Sequence, residues 1–273
     1  MGPIGVFDSG YGGLTVLNSI RQLMPEYDYV YLGDNARAPY GTRDFAVVHE
    51  YTLQAVKKLF EMDCPLIILA CNTASAKALR TIQQHYLAQI YPDRRVLGVI
   101  RPTAEIVGSQ TKTGHIGILA TPGTIKSESY SIEITKLYPK CTVTGVACPS
   151  WVPLVENQQH ESQEAFKEVR QQIELLLERD RQIDCIILGC THYPLLMKAI
   201  EQACPPNIRI ISQGEYVAKS LKDYLARHTD IESSLTRGSA CRFFTTGDSA
   251  QFISGASIFM APNDVINAKN ITL

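Results

Sequence analysis

Short apolar runs rich in Ile, Val and Leu recur along this chain between longer amphipathic stretches, and that alternation constrains the fold more than any other feature. The runs are Ile4-Phe7, Tyr29-Leu32, Leu66-Ala70, Val96-Ile100, His115-Ala120, Val143-Ala147, Asp184-Leu188, Ile208-Ile211 and Arg242-Thr245. Continuous rather than alternating apolarity predicts strands covered on both faces, the habit of parallel sheets. Helical periodicity fills the gaps, over Leu14-Met24, Ala46-Met62, Ala74-Leu87, Phe166-Arg179 and Tyr216-Arg227. A β-α-β-α order of this kind predicts an α/β fold with helices on both sides of a parallel sheet. The 273 residues give room for one large domain or two modest ones, with a core that needs no metal or disulfide staple.

One internal echo stands out. Cys64-Pro-Leu-Ile-Ile-Leu-Ala-Cys71-Asn-Thr73 and Asp184-Cys-Ile-Ile-Leu-Gly-Cys190-Thr-His192 share a plan: an apolar strand, a small residue, a cysteine, then polar residues of capping type and a helical pattern. Both cysteines therefore fall between the C-terminal end of a strand and a helix N-terminus. In open parallel sheets that is where ligands bind. Unpaired N–H groups and the positive end of the helix dipole there favour thiolate over thiol, which makes a cysteine a usable base or nucleophile. Either cysteine alone reads equally well as a small strand-end residue; two matching copies favour chemistry. His192, two residues after Cys190, is placed to orient or deprotonate that thiol.

Other polar turns follow the same geography. Phe7-Asp8-Ser9-Gly10-Tyr11-Gly12-Gly13-Leu14 is a strand, a glycine-rich turn and a helix start, but Thr15 occupies the place of the third glycine of a dinucleotide fingerprint and no P-loop lysine follows. The glycines read as letting backbone approach an anionic small molecule. Asp8 either aligns an ammonium or reacting group or caps the helix, and Ser9 is a donor to a carboxylate. Gly33-Asp34 leads into Ala38-Pro39-Tyr40-Gly41-Thr42, where Tyr40 and Gly41 offer backbone N–H groups. Thr121 and Thr124 sit in a further strand-to-helix turn, as caps or carboxylate donors. Glu156 is a lone acid in an apolar, proline-stiffened segment, functional or merely the start of the next helix.

Composition removes whole classes of function. Lys+Arg 26 against Asp+Glu 27 leaves none of the basic excess that a nucleic-acid binder uses, so the expected ligand is small and locally held. No window approaches the roughly 20 apolar residues of a membrane span and no leader pattern opens the chain, so a cytoplasmic protein without a membrane partner is expected. The eight cysteines contain no C-x-x-C pair, which argues against zinc-finger and thioredoxin chemistry and leaves no metal site expected.

On these segments, together with Leu154-Val155-Glu156, Leu188-Gly189-Cys190-Thr191-His192-Tyr193-Pro194 and Thr246-Gly247-Asp248, nearly the whole chain resembles the glutamate racemases of the cofactor-independent aspartate/glutamate racemase superfamily. The Pro39-Tyr40-Gly41 loop points to glutamate within it. Arg101 stands where an acidic residue is expected in many members, and Ser212-Gln213-Gly214 departs from a more usual acidic form.

The resemblance implies two similar parallel-sheet α/β domains with the active site in the cleft between them. The first, residues 1–98 and 212–273, carries Asp8 and Cys71; the second, residues 99–211, carries Glu156, Cys190 and His192. Cys71 and Cys190 would be the two bases, assisted by Asp8, Glu156 and His192. Asp8, Ser9, Pro39, Tyr40, Gly41, Asn72, Thr73, Thr121, Thr124, Thr191 and His192 would hold L- or D-glutamate. No cofactor is implied, and the partners would be the substrate and, as a homodimer, a second copy of the chain. The product would be D-glutamate for peptidoglycan precursors. Other readings are an aspartate or other amino-acid racemase, a thiol redox enzyme, and a two-lobed ligand-binding module without catalysis.

Overall fold

The computed structural model describes residues 1–260 and 266–273. Among the described residues ten strands form two sheets in which every neighbouring pair is parallel. The first sheet runs in the order β10-β9-β2-β1-β3-β4, from β1 (Ile4–Asp8), β2 (Tyr29–Gly33), β3 (Leu66–Leu69), β4 (Arg95–Gly98), β9 (Cys241–Thr245) and β10 (Ala268–Asn270). The second runs β6-β5-β7-β8, from β5 (His115–Ala120), β6 (Thr142–Ala147), β7 (Cys185–Gly189) and β8 (Arg209–Ile211). All nine apolar runs of the sequence are strands, within two residues at either end. Ala268–Asn270 is an addition: three residues with no apolar run, held as an edge strand by pairing with Phe243, Phe244 and Thr245.

The period of two along each strand sorts side chains between cores. In β1, Ile4 and Val6 face one cluster and Phe7 another; in β3, Leu66 and Ile68 face the first and Ile67 and Leu69 the second. In β7, Ile186 and Leu188 join that same first cluster while Cys185 and Ile187 face a third. One face of each sheet thus shares a single core, which joins the two halves. Helix Gly13–Leu23 buries Leu14, Val16, Leu17 and Ile20, and helix Gly214–Arg227 buries Val217, Ala218, Leu221 and Leu225. The two helices pack on each other, so the segment returning from β8 is tied to the first sheet. Full burial of each such Leu, Ile or Val stabilises the fold by about 1.5–3 kcal/mol.

One helix departs from expectation. The pattern over Ala74-Leu87 predicts a single helix, but the chain forms Asn72–Lys77, a break at Ala78, Leu79–Thr81 and a wider π turn over Ile82–Leu87. Apolar positions three and four apart are satisfied by either winding, so their spacing does not report the break.

Both sheets have a point where successive connections leave on opposite sides, β1/β3 in the first and β5/β7 in the second. A crevice opens at such switch points beyond the strand C-termini. Asp8 ends β1 and Cys71 follows β3; Thr121 follows β5 and Cys190 follows β7.

Candidate active site

A cavity of about 120 Å³ lies between these two switch points. Asp8, Ser9, Pro39, Tyr40, Gly41, Cys71, Asn72 and Thr73 line it from the first sheet, and Thr121, Glu156, Cys190, Thr191 and His192 from the second. The sequence-predicted site is therefore brought together, with one exception. Thr124 lies behind the wall: its backbone N–H donates to Thr121 Oγ1 at 3.3 Å, and its hydroxyl is 3.1 Å from that of Thr121 and 3.4 Å from that of Thr73. Sequence reasoning missed Cys148, Pro149, Val152 and Pro153, which supply much of the apolar wall. Their proximity to Glu156 in the Cys148-to-Glu156 segment was the available signal.

The two cysteines are set differently. Cys71 caps helix Asn72–Lys77, its Sγ accepting from Ala74 N–H at 3.4 Å and lying 3.6 Å from Ser9 Oγ. The capping contact favours thiolate, as expected of a helix start. Burial and the neighbouring Asp8 carboxylate outweigh it and push the Cys71 thiol up to about 12. Asp8 is also raised, chiefly by burial, against opposing contributions from His192 and from the backbone N–H groups of Gly13 and Gly10. Its Oδ2 accepts from Gly10 N–H at 3.0 Å, so the capping and functional readings of Asp8 coexist.

On the opposite wall His192 Nδ1 lies 3.9 Å from Cys190 Sγ, while its Nε2 is 3.0 Å from Glu156 Oε1. Burial disfavours the imidazolium, but the hydrogen bonds to Cys190 and Glu156 overcome it and raise His192 to about 10. Glu156 ends helix Trp151–Glu156 rather than starting a helix. The result is an asymmetric pair of walls: Cys71 with the Asp8 carboxyl on one side, Cys190 with His192 and the Glu156 side chain on the other.

The glycine-rich turn also makes room for protein side chains. A Cβ on Gly12 would stand 2.7 Å from His192 Cε1 and closer still to His192 Nδ1 and Thr191 Oγ1. The missing side chain makes room for the opposite wall, so Gly12 sets how near the Cys190–His192 turn comes to Asp8. The Tyr40 hydroxyl donates to the buried Asp34, whose other oxygen accepts from Thr246 Oγ1 at 2.7 Å and which pairs Arg37 Nε at 2.7 Å. The tyrosine side chain is thus an anchor for its loop. Gly123 N–H donates to Gly41 O at 2.8 Å, and the Thr73 and Thr121 hydroxyls are 3.0 Å apart, so the walls are joined around the cavity. Arg101 is on another surface, paired with Glu105 at 2.8 Å and Glu133 at 3.1 Å. Among the described residues no group of three or more His, Cys, Asp or Glu is placed to hold a metal ion.

Residues 5–221 match the family model described as Asp/Glu/Hydantoin racemase. The chain belongs to that family. Within the family it is 39% identical to a glutamate racemase of Paracoccus denitrificans, over 94% of this chain and 96% of that protein. The crystal structure of a glutamate racemase isoform from Bacillus anthracis superposes with a TM-score of 0.89 at 34% identity, covering 100% of this chain and 98% of the other. That of the Francisella tularensis glutamate racemase in complex with D-glutamate gives 0.87 at 29% identity, covering 99% and 97%. These racemases share the two-sheet architecture around which this family member's cavity is built.

Proposed function

We propose that this chain interconverts L- and D-glutamate by proton transfer at Cα between Cys71 and Cys190, without an added cofactor. The observation that carries the reading is the placement of two cysteines, each with its own acid-base assistant, on opposite walls of one small cavity. Inverting a stereocentre needs a base on one face and an acid on the other, with the roles exchanged in reverse. From L-glutamate, Cys190 takes the α-proton with His192 and Glu156 behind it, and Cys71 delivers a proton to the other face. From D-glutamate, Cys71 is the base and Asp8 its assistant.

The α-proton is very weakly acidic, so the site must stabilise the developing charge with fixed donors and exclude water. Backbone N–H groups at the starts of helices Asn72–Lys77 and Pro122–Lys126 and the hydroxyls of Ser9, Thr73, Thr121 and Thr191 are the donors available. The high position of Cys71 suits the proton-donor role; the substrate ammonium, brought beside Asp8, offsets what burial and that carboxyl impose when Cys71 must act as base. The Pro39-Tyr40-Gly41 loop would take the side-chain carboxylate through its backbone.

We assign residues 1–98 with 212–273 and 99–211 to the two halves that carry these walls, in keeping with the membership of the sheets. A homodimer in the cytoplasm, feeding D-glutamate to peptidoglycan precursors, completes the reading; sedimentation equilibrium checks the assembly. Among the described residues no helix is long and apolar enough to cross a membrane. The test is circular dichroism of L- and D-glutamate incubated with exhaustively dialysed protein. Both signals should decay to zero, and aspartate should turn over poorly because a site built for one carboxylate position discriminates against a misplaced one. Activity that returns only with an added cofactor, or equal turnover of aspartate, refutes it.

A further inference from the structure

The Ser212-Gln213-Gly214 segment is unused by the proposed reaction, yet Gln213 is buried and fully hydrogen-bonded. Its Nε2 donates to Tyr130 OH at 2.7 Å and shares its second hydrogen between Thr103 Oγ1 at 3.0 Å and Val99 O at 3.2 Å. Its Oε1 accepts from Asn72 Nδ2 at 2.6 Å, and Tyr130 OH donates to Asn72 Oδ1 at 2.7 Å. Asn72, Gln213 and Tyr130 thus close a ring in which each group donates to the next.

The direction of that ring is fixed from outside it. A backbone carbonyl accepts and never donates, so Val99 O, which also accepts from Thr103 Oγ1 at 3.0 Å, forces the amide nitrogen of Gln213 towards it. The amide oxygen must then face Asn72, and Asn72 must turn its own oxygen to Tyr130. The three residues come from three places: the first residue of the helix that Cys71 caps, helix Ser129–Leu137 beside the second sheet, and the turn after β8. Satisfied buried networks of this kind rigidify what they join.

We propose that Gln213 is a positioning residue: through the ring with Tyr130 it holds Asn72, and with it the Cys71 turn, in register with the Cys190 wall. The functional part of this rests on the racemase reading above. Gln213→Glu keeps the shape but presents an acceptor to Val99 O, and Tyr130→Phe opens the ring at Asn72 while keeping the ring packing. Displacement of a reacting group by about 1 Å costs on the order of 100-fold, so kcat/KM for glutamate should fall by about 10- to 100-fold in both variants.

A loss of stability alone would not show where the defect lies, so two further measurements locate it. With α-deuterated D-glutamate the isotope effect on kcat/KM should rise, and with α-deuterated L-glutamate it should fall, because transfer at Cys71 becomes slower in both directions. Hydrogen exchange of the unliganded variants should accelerate over residues 71–75 and stay at the parent rate in β1 and β7. If Gln213→Glu does not fold, Tyr130→Phe decides by the same readouts. Parent exchange rates over 71–75, or a uniform acceleration across both sheets, overturn the proposal whatever the activity, as do isotope effects unchanged from an active parent. A parent that does not act on glutamate overturns the racemase reading instead, and the exchange experiment still decides the role of the ring.

Discussion

Replacing Gly12 by alanine adds one methyl group at the point where the walls approach most closely. That methyl would stand 2.7 Å from His192 Cε1, whereas ordinary contact begins at 3.4 Å, and it would be closer still to Thr191 Oγ1 and His192 Nδ1. The obstructing atoms belong to buried side chains, and the His192 ring is held by Glu156 and Cys190, so the Cys190–His192 turn must retreat by about 1 Å. Overpacking of this kind costs about 1–3 kcal/mol of stability. A displacement of about 1 Å at a reacting group costs on the order of 100-fold, or about 2.7 kcal/mol of transition-state stabilisation. Gly10→Ala is the matched control, because its Cβ would meet Glu156 Oε1 at 3.4 Å and Asn35 Nδ2 at 3.9 Å, ordinary distances. Racemisation followed by circular dichroism, with a thermal melt of each variant, makes the comparison. Gly12→Ala should fold with a lowered Tm and lose about 100-fold in kcat/KM, while Gly10→Ala should stay within about threefold. Parent activity in a folded Gly12→Ala variant would refute the claim that this glycine sets the spacing of the walls.

Four further outcomes follow from the same geometry. Asp34→Asn removes an acceptor from a fully buried group that holds Tyr40, Arg37 and Thr246, and should destabilise the fold by about 1–3 kcal/mol and raise KM more than it lowers kcat; unchanged KM and Tm would contradict the anchoring role. Glu156→Gln removes one of the two contacts that raise His192 to about 10, so the imidazolium should lose its proton at lower pH and the alkaline limb of L-glutamate turnover should move down. The matching stability contribution of His192 is full below its ordinary value of 6.5 and disappears as pH rises through about 10, which denaturant titrations at both ends would register. Serine at one cysteine still donates a proton but is a far weaker base: Cys190→Ser should enlarge the isotope effect with α-deuterated L-glutamate and Cys71→Ser that with the D enantiomer, and identical effects in the two variants would contradict opposed roles.

The strands and both cysteine turns were legible because each is encoded locally, by a run of Ile, Val and Leu closed by a small residue and a cysteine. The opposition of Asp8 and Cys71 to Cys190 and His192 followed from family resemblance, since no local pattern reports which strand ends will face each other. Gln213 and Tyr130 were invisible as partners of Asn72: they lie 141 and 58 residues away from it, and only the packing of two sheets brings the amides together. Gly12 was legible as a glycine needed at close approach, but its approach to the opposite wall was not, because a sequence does not report which side chains will face it. Ala268–Asn270 lacked any apolar signal because edge strands need burial on less of their surface.

The sheet order has a consequence for how the molecule assembles. Strand β2 is flanked by β1 on one side and by β9 on the other, and Thr246, just beyond β9, is 212 residues from its Asp34 partner. Emerging from a ribosome, the chain can pair β5 with β6 and β7 while β2 still presents a bare row of amides and carbonyls. Long-range pairings of that kind slow folding and leave a sheet edge open to wrong partners. The Thr246 hydroxyl that completes the Asp34 anchor of the Tyr40 loop then arrives only after the whole second sheet has been made, so a nascent chain arrested before residue 241 would carry every residue that lines the cavity and still lack that contact.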